Sequence, residues 1–229
     1  MNESIRILTR LFYDYQRERI MLDGRLGLRK DGQLKKKAPP RDKVFLAEIY
    51  RRREEVVAME EGIQKEIARE VKKHPLWDVF LKHVKGCGET MAAVLITEID
   101  IEKAETVSKI WQYAGLNPGL VKGKKNIKGK IKITKDLIRG DKKTKGYICP
   151  YNQFLKAKLI GVLGKGFLMA NSEYRRFYDS MRKRLESKNW GAESENPTDK
   201  TRPKAGHQHN AALRYMVKMF LIDLNARKN

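Results

Sequence analysis

Two stretches of the sequence hold residues whose types and spacing suit the binding of phosphate. The first is Leu81–Ile99, LKHVKGCGETMAAVLITEI, in which Gly86 and Gly88 stand one residue apart behind Leu81 and Val84 and ahead of an alanine-rich apolar run. The order predicts a helix ending near Val84, a Gly86-Cys87-Gly88 turn and a second helix opening near Glu89-Thr90, which is a helix-hairpin-helix. Glycines free such a turn to take positive φ and leave the backbone bare. The N–H groups and dipole of the following helix favour an anionic oxygen there. Lys85 and Thr90 can add side-chain contacts, and Cys87 is expected to point inward. The bland reading is a glycine C-cap between two core helices.

The second stretch is a run of cations. Lys122, Lys124, Lys125, Lys128, Lys130, Lys132, Lys135, Arg139, Lys142, Lys143 and Lys145 are accompanied only by Asp136 and Asp141. A run so lopsided in sign needs a counter-charge. If five of these met phosphates, affinity would fall with salt at a log–log slope of about −4 to −5. Arg214 and Lys218, on the polar edge of the last helix, are further candidates. Such contacts grip a backbone and do not read bases.

Other chemistries find less support. His207 and His209 at a helix start, with His74 and His83 elsewhere, lack cysteines nearby and read as cap or phosphate contacts, not metal ligands. Glu98, Asp100, Glu102 and Glu105 form a local acidic cluster suited to capping, whereas a two-metal nuclease needs carboxylates converging on one site. Tyr147 and Tyr151, beside the basic run, are assigned to packing or stacking. Trp77, Trp111 and Trp190 read as core or interface anchors. No cofactor is expected.

The whole chain agrees with a polyanionic partner. Its 229 residues carry 50 Lys and Arg against 28 Asp and Glu, a formal charge of +22. That charge points to nucleic acid, duplex DNA first and structured RNA as the alternative. Two cysteines, Cys87 and Cys149, give no disulfide framework. The N-terminus has no apolar signal core and no stretch is long enough to span a membrane, so a cytoplasmic, nucleoid-associated protein is expected.

These groups must be positioned by a mostly α-helical chain in two parts, a helical hairpin over 1–73 and a helical domain over 74–229. Ile5, Leu8, Phe12, Tyr15 and Leu22 mark a first amphipathic helix, and Phe45, Ile49, Val56, Met59, Ile63 and Ile67 a second over Asp42–Lys73. The two either pair as an antiparallel hairpin or form a coiled coil with a second copy, a homodimer. Asp23–Arg41 reads as a basic loop, and His74-Pro75 ends the second helix. A short helix near Val107–Ala114 precedes a Gly115–Gly119 turn, and Ile131 and Ile133, alternating with lysines, suggest a small exposed hairpin within Leu120–Gly146. Pro150 is placed in the first turn of a helix that buries Phe154, Leu155, Leu159, Val162 and Leu163. A stripe of Tyr174, Phe177, Tyr178, Met181 and Leu185 follows, then a polar loop over Glu186–Gly206. A central last helix, His207–Ala226, has a polar edge of His207, Arg214, Lys218 and Asn225.

The block from Leu81 to Pro118, V-K-G-C-G-E-T-M-A-A-V-L-I-T-E-I and then W-Q-Y-A-G-L-N-P, resembles the C-terminal domain of the insertion-sequence 110/116/902 transposase family. That family shows a P-G-h-G-x-x-x-A hairpin and an A-x-h-x-G-L-x-P element; here Lys85 stands in place of the proline. Tyr151-Asn152, Leu155-Lys156, Tyr174, Tyr178 and H-x-H-N-A-A-L-R-Y-M-V-K-M-F-L are similar to its downstream pattern, and ILTRLFYDYQRERIMLDGRLG to its coiled-coil segment. The resemblance implies DNA transposition and recombination by a mobile element. It also implies a ribonuclease-H-like nuclease with four metal-holding acids, which has no counterpart in this sequence, and a nucleophilic serine shortly after G-L-x-P. No serine lies between Ser108 and Ser172. The expectation is a transposase-derived DNA-binding chain that has either lost its nuclease half or works with one supplied in trans and is not catalytic alone; the alternative is an active or truncated transposase subunit.

Overall fold

A computed structural model describes residues 3–29, 33, 43–187 and 205–227. Trp190, the side chain of Phe45, and most of the predicted loops over Asp23–Arg41 and Glu186–Gly206 lie outside the described residues. The protein is mostly helical, with one small antiparallel hairpin among the described residues.

Helices α1 (Glu3–Leu26) and α2 (Lys43–Val71) pack side by side and antiparallel. Ile5, Phe12, Leu22, Val56 and Ile67 are buried along their seam. Ions cross it too: Arg19 reaches Glu60 at 2.6 Å and Asp23 at 3.1 Å, and Arg53 meets Asp23 at 2.6 Å. This arrangement corrects two expectations. The first helix runs through Asp23 to Leu26, because the Asp23 carboxylate is held by two arginines instead of opening a loop. Met59 is 55% exposed, and the buried row passes through Val56, Glu60, Ile63 and Ile67. Glu60 can occupy an inward position because Arg19 neutralises it.

A turn after α2 leads to α3 (Pro75–Val79), whose N-cap is His74, with Nδ1 accepting from the Leu76 N–H at 3.2 Å. Burial lowers the His74 pKa, which keeps the imidazole in its accepting form. A 3-10 turn (Leu81–His83) follows, then α4 (Glu89–Glu98). Every residue from Met91 to Glu98 is buried, so α4 is enclosed on all sides and packs against α1, α2 and α6. Each large apolar side chain buried this way contributes about 1.5–3 kcal/mol.

Helix α5 (Val107–Tyr113) leads through Gly115–Gly119 into β1 (Leu120–Ile127) and β2 (Lys130–Arg139). A continuous helical run then passes from α6 (Gln153–Lys158) through a π turn (Leu159–Leu163) to α7 (Gly164–Met169). Asn152, not Pro150, begins this run: its Oδ1 accepts from the Leu155 N–H at 3.0 Å, a stronger start than a proline supplies. Val162, expected inside, is 43% exposed because the π turn shifts the buried row to Leu155, Leu159 and Leu163.

Helices α8 (Arg175–Ser187) and α9 (Ala205–Asn225) close the fold. Phe220 of α9 stacks on Phe80 and meets Phe167 and Tyr174 edge to face. The buried residues of α1, α2, α4, α6, α7 and α9 form one continuous apolar cluster.

Candidate nucleic-acid interface

The basic run folds as an arm. β1 and β2 pair antiparallel, joined by Lys128 (φ 51) and Gly129 (φ 80). Two positive φ values define the type I′ turn, whose twist matches that of the strands it joins. Opposite residues share a face, so Leu120, Lys122, Lys124 and Asn126 of β1 lie with Ile131, Ile133, Leu137 and Arg139 of β2. On this face Leu120, Ile131, Ile133 and Leu137 are 61–66% exposed. The other face carries Val121 and the buried Ile138, and the ring of Tyr147 fills the space a side chain at Gly123 would need. Tyr147 donates its hydroxyl proton to Asp136 at 2.6 Å and takes the Lys125 ammonium over its ring at 4.4 Å.

The candidate cations divide accordingly. Lys125 approaches Asp136 at 3.8 Å, and Arg139 binds Asp141 through two hydrogen bonds of 2.9 Å. Lys122, Lys124, Lys128, Lys130, Lys132, Lys135, Lys142, Lys143 and Lys145 are exposed and have no carboxylate partner among the described residues. The arm thus presents a surplus of positive charge to solvent.

The Gly86–Gly88 turn is built differently from the two-glycine symmetry of its sequence. Gly86 has φ +88, and a Cβ there would lie 2.6 Å from the carbonyl oxygen of Gly166 in α7. Gly88 has φ −77, serves as N-cap of α4, and has nothing within 4 Å of where a Cβ would stand. Gly86 therefore answers to packing and backbone geometry, Gly88 to open space. Both are exposed. The Cys87 N–H donates to the Val84 carbonyl at 3.1 Å, whereas those of Gly88, Glu89 and Thr90 have no partner among the described residues. Cys87 itself is buried, and burial, with Glu89 nearby, pushes its thiol up to about 12. Glu89 in the first turn opposes an anion; Lys72 stands 3.8 Å from it. Lys85 is exposed and Thr90 half-buried beside the turn. The first arm of the hairpin is short, a five-residue helix and a 3-10 turn, against ten residues in α4.

Arg214 and Lys218 lie on α9. Arg214 reaches Asp141 at 3.5 Å, and Lys218 lies 4.7 Å over the Trp111 ring with its pKa lowered by burial and by Arg214. His209 meets the Tyr178 hydroxyl at 2.7 Å. Among the described residues no group of His, Cys, Asp or Glu is placed to hold a metal ion. The acidic cluster disperses: Glu98 is buried and bound by Arg10 and by Asn152 at 2.6 Å, Asp100 pairs with Lys103, and Glu105 with Lys109.

Residues 79–137 match the family described as Transposase IS116/IS110/IS902. This segment is insertion-sequence transposase-like. It starts just before the Gly86 turn and ends in β2, so it spans both phosphate-suited stretches except for the residues beyond Leu137. The chain has no significant match among curated proteins or solved structures.

Two leucines and one aspartate take roles here that sequence spacing did not assign. The exposed leucines Leu120 and Leu137 join Ile131 and Ile133 only through strand register. Tyr151, expected to pack or stack, lies against Gly115 of the G-L-N-P turn, where a Cβ would fall 2.6 Å from the ring. Asp141, 2% exposed, gathers Arg139, Arg214 and Lys156; its sign within a lysine run was the one signal of this role.

Proposed function

We propose that this chain is the DNA-binding part of a transposition system, gripping a duplex backbone with the lysine arm and with the N-terminus of α4. The observation that carries the reading is the arm: nine exposed lysines without carboxylate partners among the described residues, on a two-stranded ribbon and the turn that follows it. A duplex major groove admits a two-stranded ribbon. Counterion release by the arm supplies sequence-independent affinity. The bare N–H groups of Gly88, Glu89 and Thr90 offer a second phosphate contact on a separate element. Nuclease chemistry would come from another polypeptide or domain.

The test is binding of duplex DNA against structured RNA across a salt series. Tight duplex binding with a log–log slope of about −4 or steeper supports the reading. A flat response, or a preference for RNA at every salt concentration, overturns it. Ile7 and Leu11, one turn apart and exposed on α1, offer apolar side chains that a second copy could cover. Sedimentation of the full chain reads whether it does.

A further inference from the structure

At the foot of the arm, α6, the π turn and α9 line an open cavity of about 540 Å³. Its wall includes Lys156, Arg214, Tyr151, Gln153, Asn210 and Ile160, and none of its lining residues is acidic. The size falls within the range of small-molecule sites, roughly 300–1,000 Å³. A π turn inside a helix frequently marks a functional position, and this one contributes Ile160 and Gly161 to the wall.

The charge around the cavity does not balance. Arg139, Lys156 and Arg214 converge on Asp141, which is 2% exposed. Arg139 takes both oxygens of that carboxylate. Arg214 has only a 3.5 Å approach to it, which leaves most of its five N–H donors for another acceptor. The Lys156 ammonium donates to the Asp141 carbonyl and lies 4.4 Å over the Tyr151 ring. Burial lowers the Lys156 pKa, with Arg214 adding to the effect against the pull of Asp141, a cost to the ammonium that an anion in the cavity would offset. The Tyr151 ring under Lys156 packs closely against Gly115, which leaves no room there for a side chain.

We infer that this cavity binds the phosphate of a single nucleotide, held between Arg214 and Lys156, with the Gln153 and Asn210 carboxamides at the rim for the base edge and Ile160 against its face. An arginine fork suits a phosphate bidentately, and a carboxamide can pair with a base through its donor and acceptor together. The ligand's source is either a free nucleotide or the 5′-phosphorylated end of an unpaired strand. Only the second source rests on the nucleic-acid reading above.

The test uses the full chain and calorimetric titration with four probes: a 5′-phosphorylated single-stranded octanucleotide, the same strand with a 5′-hydroxyl, a nucleoside 5′-monophosphate, and inorganic phosphate. The phosphorylated strand should bind about tenfold or more tighter than the hydroxyl strand, as charge-assisted hydrogen bonds imply. Arg214→Gln should remove that preference. Gly161→Phe, at a position with nothing within 4 Å of a Cβ, should also remove it by filling the cavity without disturbing the fold. Competition by the monophosphate would assign the free nucleotide as the source, and its failure to compete would assign the strand end. Equal binding of both strands with no binding of the monophosphate would overturn the inference, as would a preference that survives both substitutions, or inorganic phosphate binding as tightly as the nucleotide. Failure of the arm to bind duplex DNA leaves the monophosphate titration as an independent reading of the cavity.

Discussion

Gly86 and Gly166, eighty positions apart in the chain, touch backbone to backbone: a Cβ on Gly86 would lie 2.6 Å from the Gly166 carbonyl oxygen, and one on Gly166 would lie 2.5 Å from that of Gly86. The turn that sequence pattern assigns to a ligand is therefore also a joint between α4 and α7. The two glycines of the motif separate into a structural one and an accessible one, and they should answer differently to substitution.

Gly86→Ala should destabilise the protein by about 2 kcal/mol or more, since the substitution meets both a left-handed φ and a backbone clash. Gly88→Ala should leave the melting temperature within a few degrees of wild type. If Gly88→Val also keeps its melting temperature but loses duplex affinity several-fold, the α4 terminus is a contact. Parallel thermal melts and binding curves check both halves. A Gly86→Val, Gly88→Val pair cannot serve, because unfolding would mask the binding effect.

The arm should set the salt dependence. Replacing Lys122, Lys124, Lys130 and Lys132 by alanine should reduce the log–log salt slope by roughly 0.9 for each phosphate the arm no longer neutralises. The four side chains are exposed, so helical content should stay constant by circular dichroism.

Ile131 and Ile133 offer a different test, being 66% exposed on the outer face of the ribbon. Serine at both positions should change stability by about 0.5 kcal/mol or less per site. If the apolar side chains rest in a groove, affinity falls while the salt slope is unchanged. Binding at two salt concentrations separates this outcome from the removal of a charge.

Glu98 is buried with its carboxylate bound by Arg10 and Asn152. Glu98→Ala should cost about 2–3 kcal/mol, the scale of hydrogen bonds to a charged group, and loosen α1 from α4 and α6. Denaturant unfolding of the variant measures it.

Burial alone would raise the Asp141 carboxyl, but the hydrogen bonds from Arg139, with Lys156 and Arg214 nearby, hold it below the ordinary 3.8. A lowered carboxylate pKa adds stability above the unfolded value and loses it as pH falls through the folded one. Melting temperature should therefore drop below about pH 4, and Asp141→Asn should flatten that part of the profile. A pH series of melts on both proteins tests the pair.

The helical seams were readable because apolar spacing reports burial directly, as at Ile5, Phe12, Val56 and Ile67. Reading failed where a charge was neutralised by a distant partner: Glu60 with Arg19 and Asp23 with Arg53 occupy inward positions that pattern alone assigns to solvent. It failed again at the π turn, where one shifted register sent Val162 outward. The basic run was legible from its sign, and its arrangement as a ribbon with an apolar outer face followed only from register. The pairing of Gly86 with Gly166 left no trace in sequence at all, because each is an ordinary glycine in its own neighbourhood.

The joint between Gly86 and Gly166 bears on how the molecule can be divided. Excising 79–137 at the limits of the family match would strip the turn of its seat on α7 and deprive Glu98 of both Arg10 and Asn152. The transposase-like segment is thus not a transplantable module. It keeps its shape only while flanking helices from both ends of the polypeptide clasp it.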